Sequence, residues 1–578
     1  MKQFVFDIEA NGLNPNRVWC ICINELGTEK MHSITPSGIE MGYFGEWLEE
    51  QGECELIGHN ILGYDIPVLE RLLGADFSKC KLTDTLVLSR LGNPSREGGH
   101  SLENWGRLLG CPKGEHSDWD SFSPEMVEYC EQDVLVNVKV YNALRGVLST
   151  FGSESIELEH RVQAIISKQI ENGWLLDQEK AFLLLAELKE KKYELEDEVL
   201  QTFKPLPTFV KEITPKVKKD GTCSVVGLKF LGEQWTTAVA PFSRIDYPVF
   251  NLGSRQQIGR YLQYFGWKPT QFTEKGHAIV DEAVLSKVEG IPEASLIGEY
   301  LMLQKRIAQV QSWLDAVKDD GRVHGYVNSC GAVTGRMTHS SPNMGQIPSV
   351  SAEYGTDCRA CWIAPEGYKI VGMDASGLEL RMLAHYMNDE DYTNEILNGD
   401  IHTANQLASG VDTRSQAKTF IYAFLYGAGD SKIGSIVGGT ANDGRQLKEK
   451  FLSNTPSLRD LRERVKLASG RGYVFGLDGR RVNVRSEHSA LNTLLQSAGA
   501  IVMKKALCLL DEYAKLWNID YKFIGNIHDE IQTEVREEEA EVFGRLAVSC
   551  IEAAGLHYKL NCPLTGEYKI GGNWSETH

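Results

Sequence analysis

The chain has no run of about 18 apolar residues, so no membrane-spanning helix is expected. Its first residues, MKQFVFDIEANGL, lack the apolar block and small-residue cleavage site of a secretory signal and carry acids instead. The expectation is a cytosolic protein. There is no internal repeat and no low-complexity segment. The 13 cysteines are odd in number and scattered. Cys358 and Cys361 have C-x-x-C spacing, but no second pair lies nearby, so a zinc site is not expected and the cysteines read as buried thiols. Positive charge is scarce: 60 Lys and Arg face 79 Asp and Glu, a net charge of −19. Taken alone, that balance argues against a nucleic-acid partner, whose phosphates want a basic surface. An average can hide local patches, so the motifs decide.

The 578 residues are 42% hydrophobic and 24% charged, ordinary for a globular chain and too long for one core. Residues 1 to about 150 alternate short strands and helices. FVFDIE and VWCICINEL read as strands, and SPEMVEYCEQDVLVNVKVYNALRGVL as a long helix. Residues 155–203 are strongly helical, with Asp177 as an expected N-cap. Residues 204–246 carry Pro205, Pro207, Pro215, Pro241 and the basic cluster Lys216, Lys218 and Lys219. They read as an inserted loop or small β element. The remainder mixes helices with a few strands.

Two constellations carry chemistry. In the first, Asp7 and Glu9 lie two apart on a strand and so share a face. Asp65 sits where a helix could begin. Tyr129 and Asp133 lie four apart on a helix, again on one face. Four hard carboxylates can hold two divalent ions, and a tyrosine hydroxyl beside them can orient an attacking water. The order D-x-E, N-x-x-x-Y-D, Y-x-x-x-D resembles the DEDDy proofreading 3′→5′ exonucleases. Asp84 is expected to support the fold rather than bind metal.

In the second, Arg414, Lys418, Tyr422 and Tyr426 repeat every four residues and stay on one side of a helix. Two cations and a ring on one face suit a nucleoside triphosphate. Asp374 ends an apolar strand, and Glu379 follows on a helix. His528-Asp529-Glu530 lies between two short strands. If those strands pair with the one ending at Asp374, the two aspartates meet and can hold two Mg²⁺ for in-line nucleotidyl transfer. DASGLELR, R-x-x-x-K-x-x-x-Y-x-x-x-Y-G and HDE resemble motifs A, B and C of family A DNA polymerases, closest to the replicative enzymes of T-odd bacteriophages. GAVTGRMTHSSPNMGQIPS, GDIHTANQ, GLDGRRVNVRS and NTLLQSAGA extend the likeness over nearly the whole chain.

The resemblance implies an α/β and α+β multidomain architecture, a ribonuclease H-like exonuclease domain (1–155) followed by a right-hand polymerase. Connecting helices and thumb would span 156–330, with an insertion near 204–246. The palm would take 331–390 and 491–578, and the fingers 391–490. Asp374, Asp529 and the carbonyl of Ala375 would bind metal, with Glu530 in support. Arg414, Lys418 and His402 would hold the triphosphate, Lys418 also protonating the leaving pyrophosphate. Tyr422 would stack by the sugar. Glu379 would hydrogen-bond Tyr422 and exclude a 2′-hydroxyl. Tyr426, Arg336, Gln346, Gln496 and His528 would contact the primer–template. Mg²⁺ is the expected cofactor, two ions per site, with Mn²⁺ as a substitute. Partners would be primer–template DNA, deoxynucleoside triphosphates, a helicase-primase and a single-stranded DNA-binding protein. The segment 204–246 is shorter and differently composed than the thioredoxin-binding insertion of the best-known T-odd enzyme, so thioredoxin dependence is not expected. A repair polymerase of the same family, a single-subunit RNA polymerase and a non-enzymatic scaffold are the competing readings.

Overall fold

Strands Lys2–Ala10 (β1) and Val18–Glu25 (β2) are buried at most positions rather than at alternate ones, because helices cover both faces of their sheet. In a computed structural model of the chain they form a five-stranded sheet with Met31–Ile34 (β3), Cys54–Gly58 (β4) and Cys80–Asp84 (β5), in the order β3-β2-β1-β4-β5. β1 pairs antiparallel with β2 and parallel with β4. Phe4, Phe6 and Ile8 pack on one face, with Ile66 and Leu69. Val5 packs on the other, against Met126, Cys130 and Val134 of the helix Pro124–Leu148 (α1). Asp7 and Glu9 share the face of Val5 by the two-residue period, so they meet α1. Ser123 caps α1 by accepting from the Met126 N–H, and Pro124 fills its first turn. Asp84 caps the helix Thr85–Gly92 and accepts from the N–H groups of Asn60, Leu62 and Leu86.

The structure describes all residues except 223, 225–227, 230, 232–239, 274, 289, 292 and 578, and the side chains of 282 and 283. The chain divides into two compact units, Gln178–Asp315 and the rest. The smaller unit holds the helices Gln178–Thr202, Arg255–Tyr264 and Glu293–Ala316 around Val199, Phe203, Phe250, Tyr261, Ile297 and Tyr300. In it, Thr208–Ile213 pairs antiparallel with Phe242–Asp246, and Lys216, Lys218 and Lys219 are exposed.

The larger unit contains a second sheet. Tyr368–Ala375 (β6), Tyr521–Ile527 (β7), Glu530–Arg536 (β8) and Gly566–Gly571 (β9) lie in the order β7-β8-β6-β9. The helix Ser153–Asn172 (α2) buries Leu158, Val162 and Ile166 in the core that also holds Val371, Met373 and Phe420. Phe420 comes from the helix Arg414–Leu425 (α3), and Ile501, Val502 and Leu507 of the same core from Ala490–Leu516 (α4). Among the described residues, one helical stretch, Glu487–Leu516, is apolar and long enough to cross a bilayer, and 78% of its apolar window is buried in the protein. It is a core helix.

That helix carries one charge into the interior. Lys504 Nζ lies 2.6 Å from Glu159 Oε1 of α2, and Arg480 Nη1 lies 2.5 Å from the same oxygen. Arg480 also pairs with Asp478 at 2.6 Å. All four side chains are at most 3% exposed. Removing one member of such a group leaves buried charge uncompensated. Glu159→Ala should therefore cost about 3–5 kcal/mol, read as a lower midpoint of urea unfolding followed by tryptophan fluorescence.

Candidate active sites

The first site lies where β1 meets α1. Glu9, Asp65 and Asp133 are buried and Asp7 is half-buried. Asp65 is the first residue of the helix Asp65–Leu73, and Asp133 stands on the inward face of α1 with Met126, Cys130 and Asn137. Burial holds the Asp7 carboxyl well above the usual carboxylate range, and repulsion from Glu9, Asp65 and Asp133 adds to it. Burial and the charges of Asp133 and Asp65 push Glu9 up to about 9. Asp65 is pushed up to about 7 by burial and Asp84. Asp133 is raised by burial, against the pull of Lys113, whose Nζ is 2.5 Å from Asp133 Oδ2. Asp133 Oδ1 is buried without a hydrogen-bond partner among the described residues. Four acids out of water, mutually repelling, with an unpaired oxygen, are a donor set suited to hard divalent cations.

Tyr129, one turn before Asp133, has Lys113 Nζ 4.9 Å from its ring centroid, with His116 and Trp119 packed against it. Sequence reasoning missed Lys113, His116 and Trp119. They belong to the irregular stretch after Leu109, where no periodicity marks which side chains turn inward.

The second site lies at one end of the strands of the β7-β8-β6-β9 sheet. β6 pairs antiparallel with β8, which sets Asp374 opposite Glu530. The two-residue turn His528-Asp529 joins β7 to β8, and His528 adopts a left-handed φ of 60°, uncommon for a non-glycine residue. The turn delivers Asp529 beside Asp374. Burial and then the charges of Asp529, Glu530 and Glu567 push Asp374 up to about 7. Asp529 is raised by burial and by Glu379, against Arg336 and His528. Ala375 is buried opposite Gly566. A Cβ on Gly566 would stand 2.8 Å from the Asp374 carbonyl oxygen, so the strand pairing there requires glycine. Glu530 is buried and receives hydrogen bonds from Trp574 Nε1, at 2.7 Å, and from Gln532. Arg359 lies 3.9 Å away. Those partners make Glu530 a fixed neighbour of the two aspartates. Trp574, Gln532 and Glu567 were not foreseen, since strand register brings Gln532 and Glu567 here and the helical turn Trp574–Thr577 brings Trp574.

Helix α3 begins with a capping box between Thr413 and Gln416. Lys418 is exposed on it. Arg414 makes a two-point ion pair with Asp400, 2.6 Å from Nε and 3.1 Å from Nη2. Asp400 in turn caps the helix Ile401–Ser409 that carries His402. His402 Nδ1 is buried without a partner among the described residues, and its ring lies 6.5 Å from that of Tyr422. The rings of Tyr422 and Tyr426 stack at 6.5 Å. Glu379 was expected to bond Tyr422. In this structure its Oε1 instead accepts from the Tyr426 hydroxyl at 2.7 Å and lies 3.5 Å from Arg336 Nη2. Tyr426 is one turn beyond Tyr422, at the residue that ends α3. Arg336 and His528 line one small cavity with Met503 and Asn526. Gln496 is half-buried on α4, and Gln346 is exposed on the short turn Met344–Gln346.

Two repelling aspartates at one end of the sheet, with the cations and stacked rings of α3, make a set of groups suited to phosphoryl transfer of the polymerase kind. The sequence model of DNA polymerase family A matches residues 231–576. The chain is 37% identical to the DNA-directed DNA polymerase of Enterobacteria phage T3, and 37% identical to that of Escherichia phage T7, over the whole of each protein. It is 32% identical to the thermostable DNA polymerase I of Thermus aquaticus over 60% of this chain and 44% of the relative. Among solved structures, the POL domain of Pol1 from M. smegmatis, in complex with DNA primer-template and dNTP, superposes with a TM-score of 0.77 at 19% identity, covering 99% of this chain and 96% of that one. The chain belongs to DNA polymerase family A. It is a DNA-directed DNA polymerase of the T7-like phage type, with primer–template DNA and deoxynucleoside triphosphates as its substrates. Enzymes of this family generally use divalent metal ions. The T3 alignment runs over 709 positions against 578 residues here, so that relative carries segments without a counterpart in this chain.

The raised carboxyls have a consequence for stability. Glu9 and Asp65 bind protons more tightly folded than unfolded, so the stability they contribute is full below about pH 4. It is lost as pH rises through about 7 for Asp65 and about 9 for Glu9. Asp374 adds less, because it is only partly buried and water screens it. A cation among the acids reverses the penalty. Mg²⁺ should therefore raise the melting temperature more at pH 8.5 than at pH 5.5, as scanning calorimetry with and without chelator would read.

Proposed function

We propose that this polymerase is a phage replicative enzyme whose N-terminal acids proofread. The observation that carries the proofreading reading is the gathering of Asp7, Glu9, Asp65 and Asp133 in one partly water-excluded place, each with its carboxyl held above its ordinary range. In this reading the four acids hold two Mg²⁺, with Mn²⁺ as a substitute. Tyr129 orients the attacking water, and Lys113 yields Asp133 when cations arrive.

In the polymerase site Asp374, Asp529 and the Ala375 carbonyl hold two Mg²⁺. When bound, the ions supply charge stabilisation for in-line attack and for the leaving pyrophosphate. The protein's own side chains do the rest. Lys418 holds the triphosphate and donates the proton that pyrophosphate takes up on leaving. Arg414 turns from Asp400 to the triphosphate, and His402 binds beside it. Tyr422 stacks by the sugar, and Tyr426 lies by the template base. Glu379, fixed by Tyr426 and Arg336, occupies the space that a ribose 2′-hydroxyl would need. Arg336, Gln346, Gln496 and His528 contact the duplex. Residues 1–155 form the exonuclease domain, and the smaller compact unit supplies the thumb. The setting is a host-cell cytoplasm, with a helicase-primase and a single-stranded DNA-binding protein as partners. Thioredoxin is not required in this reading.

A labelled primer on a longer template, with Mg²⁺, tests both sites on one gel. The primer should lengthen with the four deoxynucleotides and shorten without them. Asp529→Ala should remove several kcal/mol of transition-state stabilisation, at least about a thousandfold in extension rate, and leave shortening intact. Asp7→Ala should abolish shortening and leave extension intact. A primer that never shortens in the wild-type lane would remove proofreading from this account.

A further inference from the structure

Outside both proposed metal sites, three thiols converge in the first domain. Cys20 and Cys22 are two apart on β2 and so project from one face of it toward α1. Cys130 comes from α1. All three are fully buried, and their Sγ atoms lie within 4.8 Å of one another. Cys20, Cys22 and Cys130 are in no disulfide, and Cys54 and Cys80 are another close pair, with Sγ atoms 3.7 Å apart. Small-hydrophobe packing accounts for a buried thiol singly. It does not call for three sulfur atoms from two elements at ligand spacing.

Cys130 joins this cluster to the acids. Its Sγ donates to the Asp7 carbonyl at 3.4 Å and approaches Asp7 Oδ2 at 3.8 Å. It also lies within 4.8 Å of ligand oxygens of Asp7 and Glu9. Hard oxygens on one side and soft sulfurs on the other select different cations. Asp7 is half-buried, so the acid site offers the cluster a way to solvent.

We propose that Cys20, Cys22 and Cys130 form a binding site for one thiophilic divalent cation, Zn²⁺ or Cd²⁺ in type, whose occupancy suppresses the neighbouring exonuclease. The second half of that statement rests on the proofreading reading; the first does not. On binding, three S–H bonds break, three sulfur–metal bonds form, and three protons pass to the buffer. Three thiolates and a divalent ion leave one net negative charge, one fewer than a four-cysteine structural zinc site carries. The bound Cys130 can no longer donate to Asp7, and a second cation stands next to the carboxylates that would hold Mg²⁺.

The test is a Cd²⁺ titration of the full chain in excess Mg²⁺, following thiolate-to-cadmium charge-transfer absorption. A saturable band at about one equivalent per chain is expected. Cys22→Ser and Cys130→Ser should each weaken binding at least about tenfold, while Cys54→Ser leaves it unchanged. Primer extension serves as the check that each variant is folded. If either serine variant fails to extend, cadmium NMR of the wild-type chain gives the number of sulfur ligands, three being expected. No band, a band insensitive to Cys22→Ser and Cys130→Ser, or a two-sulfur signal overturns the site. Saturating Cd²⁺ should stop primer shortening in the wild type but not in Cys22→Ser, whose other contacts are Ser33 and the Val127 carbonyl. Full shortening with the band saturated overturns the coupling. A normal band in a protein that never shortens a primer leaves the cation site standing and fails the proofreading reading instead.

Discussion

Carboxylates crowded together repel, and this molecule assembles two such groups. The repulsion cannot be relieved by side-chain motion alone, because the backbone sets where each acid stands. Asp7 and Glu9 ride a strand paired with β2 along their stretch, and Asp133 a helix packed into the core. Asp529 rides a turn whose two flanking strands are paired along their length. The strain is electrostatic, and a cation bound among the acids would relieve it. Much of the surrounding architecture can be understood as the scaffold that keeps these acids from moving apart.

That scaffold uses buried polar contacts where apolar packing would not hold a charge in place. Trp574, Gln532 and Arg359 hold Glu530 close to the two aspartates. Around Glu159, α2, α4 and the turn carrying Asp478 and Arg480 are tied by a group of charges that have no access to water. Buried ion groups are poor sources of net stability, but breaking one is costly, so they suit places where register matters. The same logic appears in milder form where Asp400 caps the helix Ile401–Ser409 and pairs with Arg414 at the start of α3.

An acidic chain that acts on DNA is no contradiction. The excess negative charge includes carboxylates that want cations, while exposed positive charge gathers locally, at Lys418 on α3 and at Lys216, Lys218 and Lys219. Net charge governs solubility and long-range attraction; local placement governs recognition.

The periodic and local features were legible in the sequence. The two-residue period of β1, the four-residue spacing on α1 and α3, and the strand–turn–strand around His528 each follow from bond geometry over a few residues. The identities of Asp7, Glu9, Asp65, Asp133, Asp374 and Asp529 as one chemical type in a fixed order carried the resemblance. Tertiary structure decided what depends on contacts between distant segments. Lys113 reaches Asp133 from an irregular loop, Trp574 reaches Glu530 from the chain's far end, and Glu379 takes Tyr426 rather than Tyr422. The three thiols belong to the same category: Cys20, Cys22 and Cys130 looked like scattered cysteines because only the packing of α1 on β2 brings them together. The physical reason is range. Propensity and periodicity act along the chain, whereas charge pairing, register and close packing act through space and become fixed only when the chain has folded.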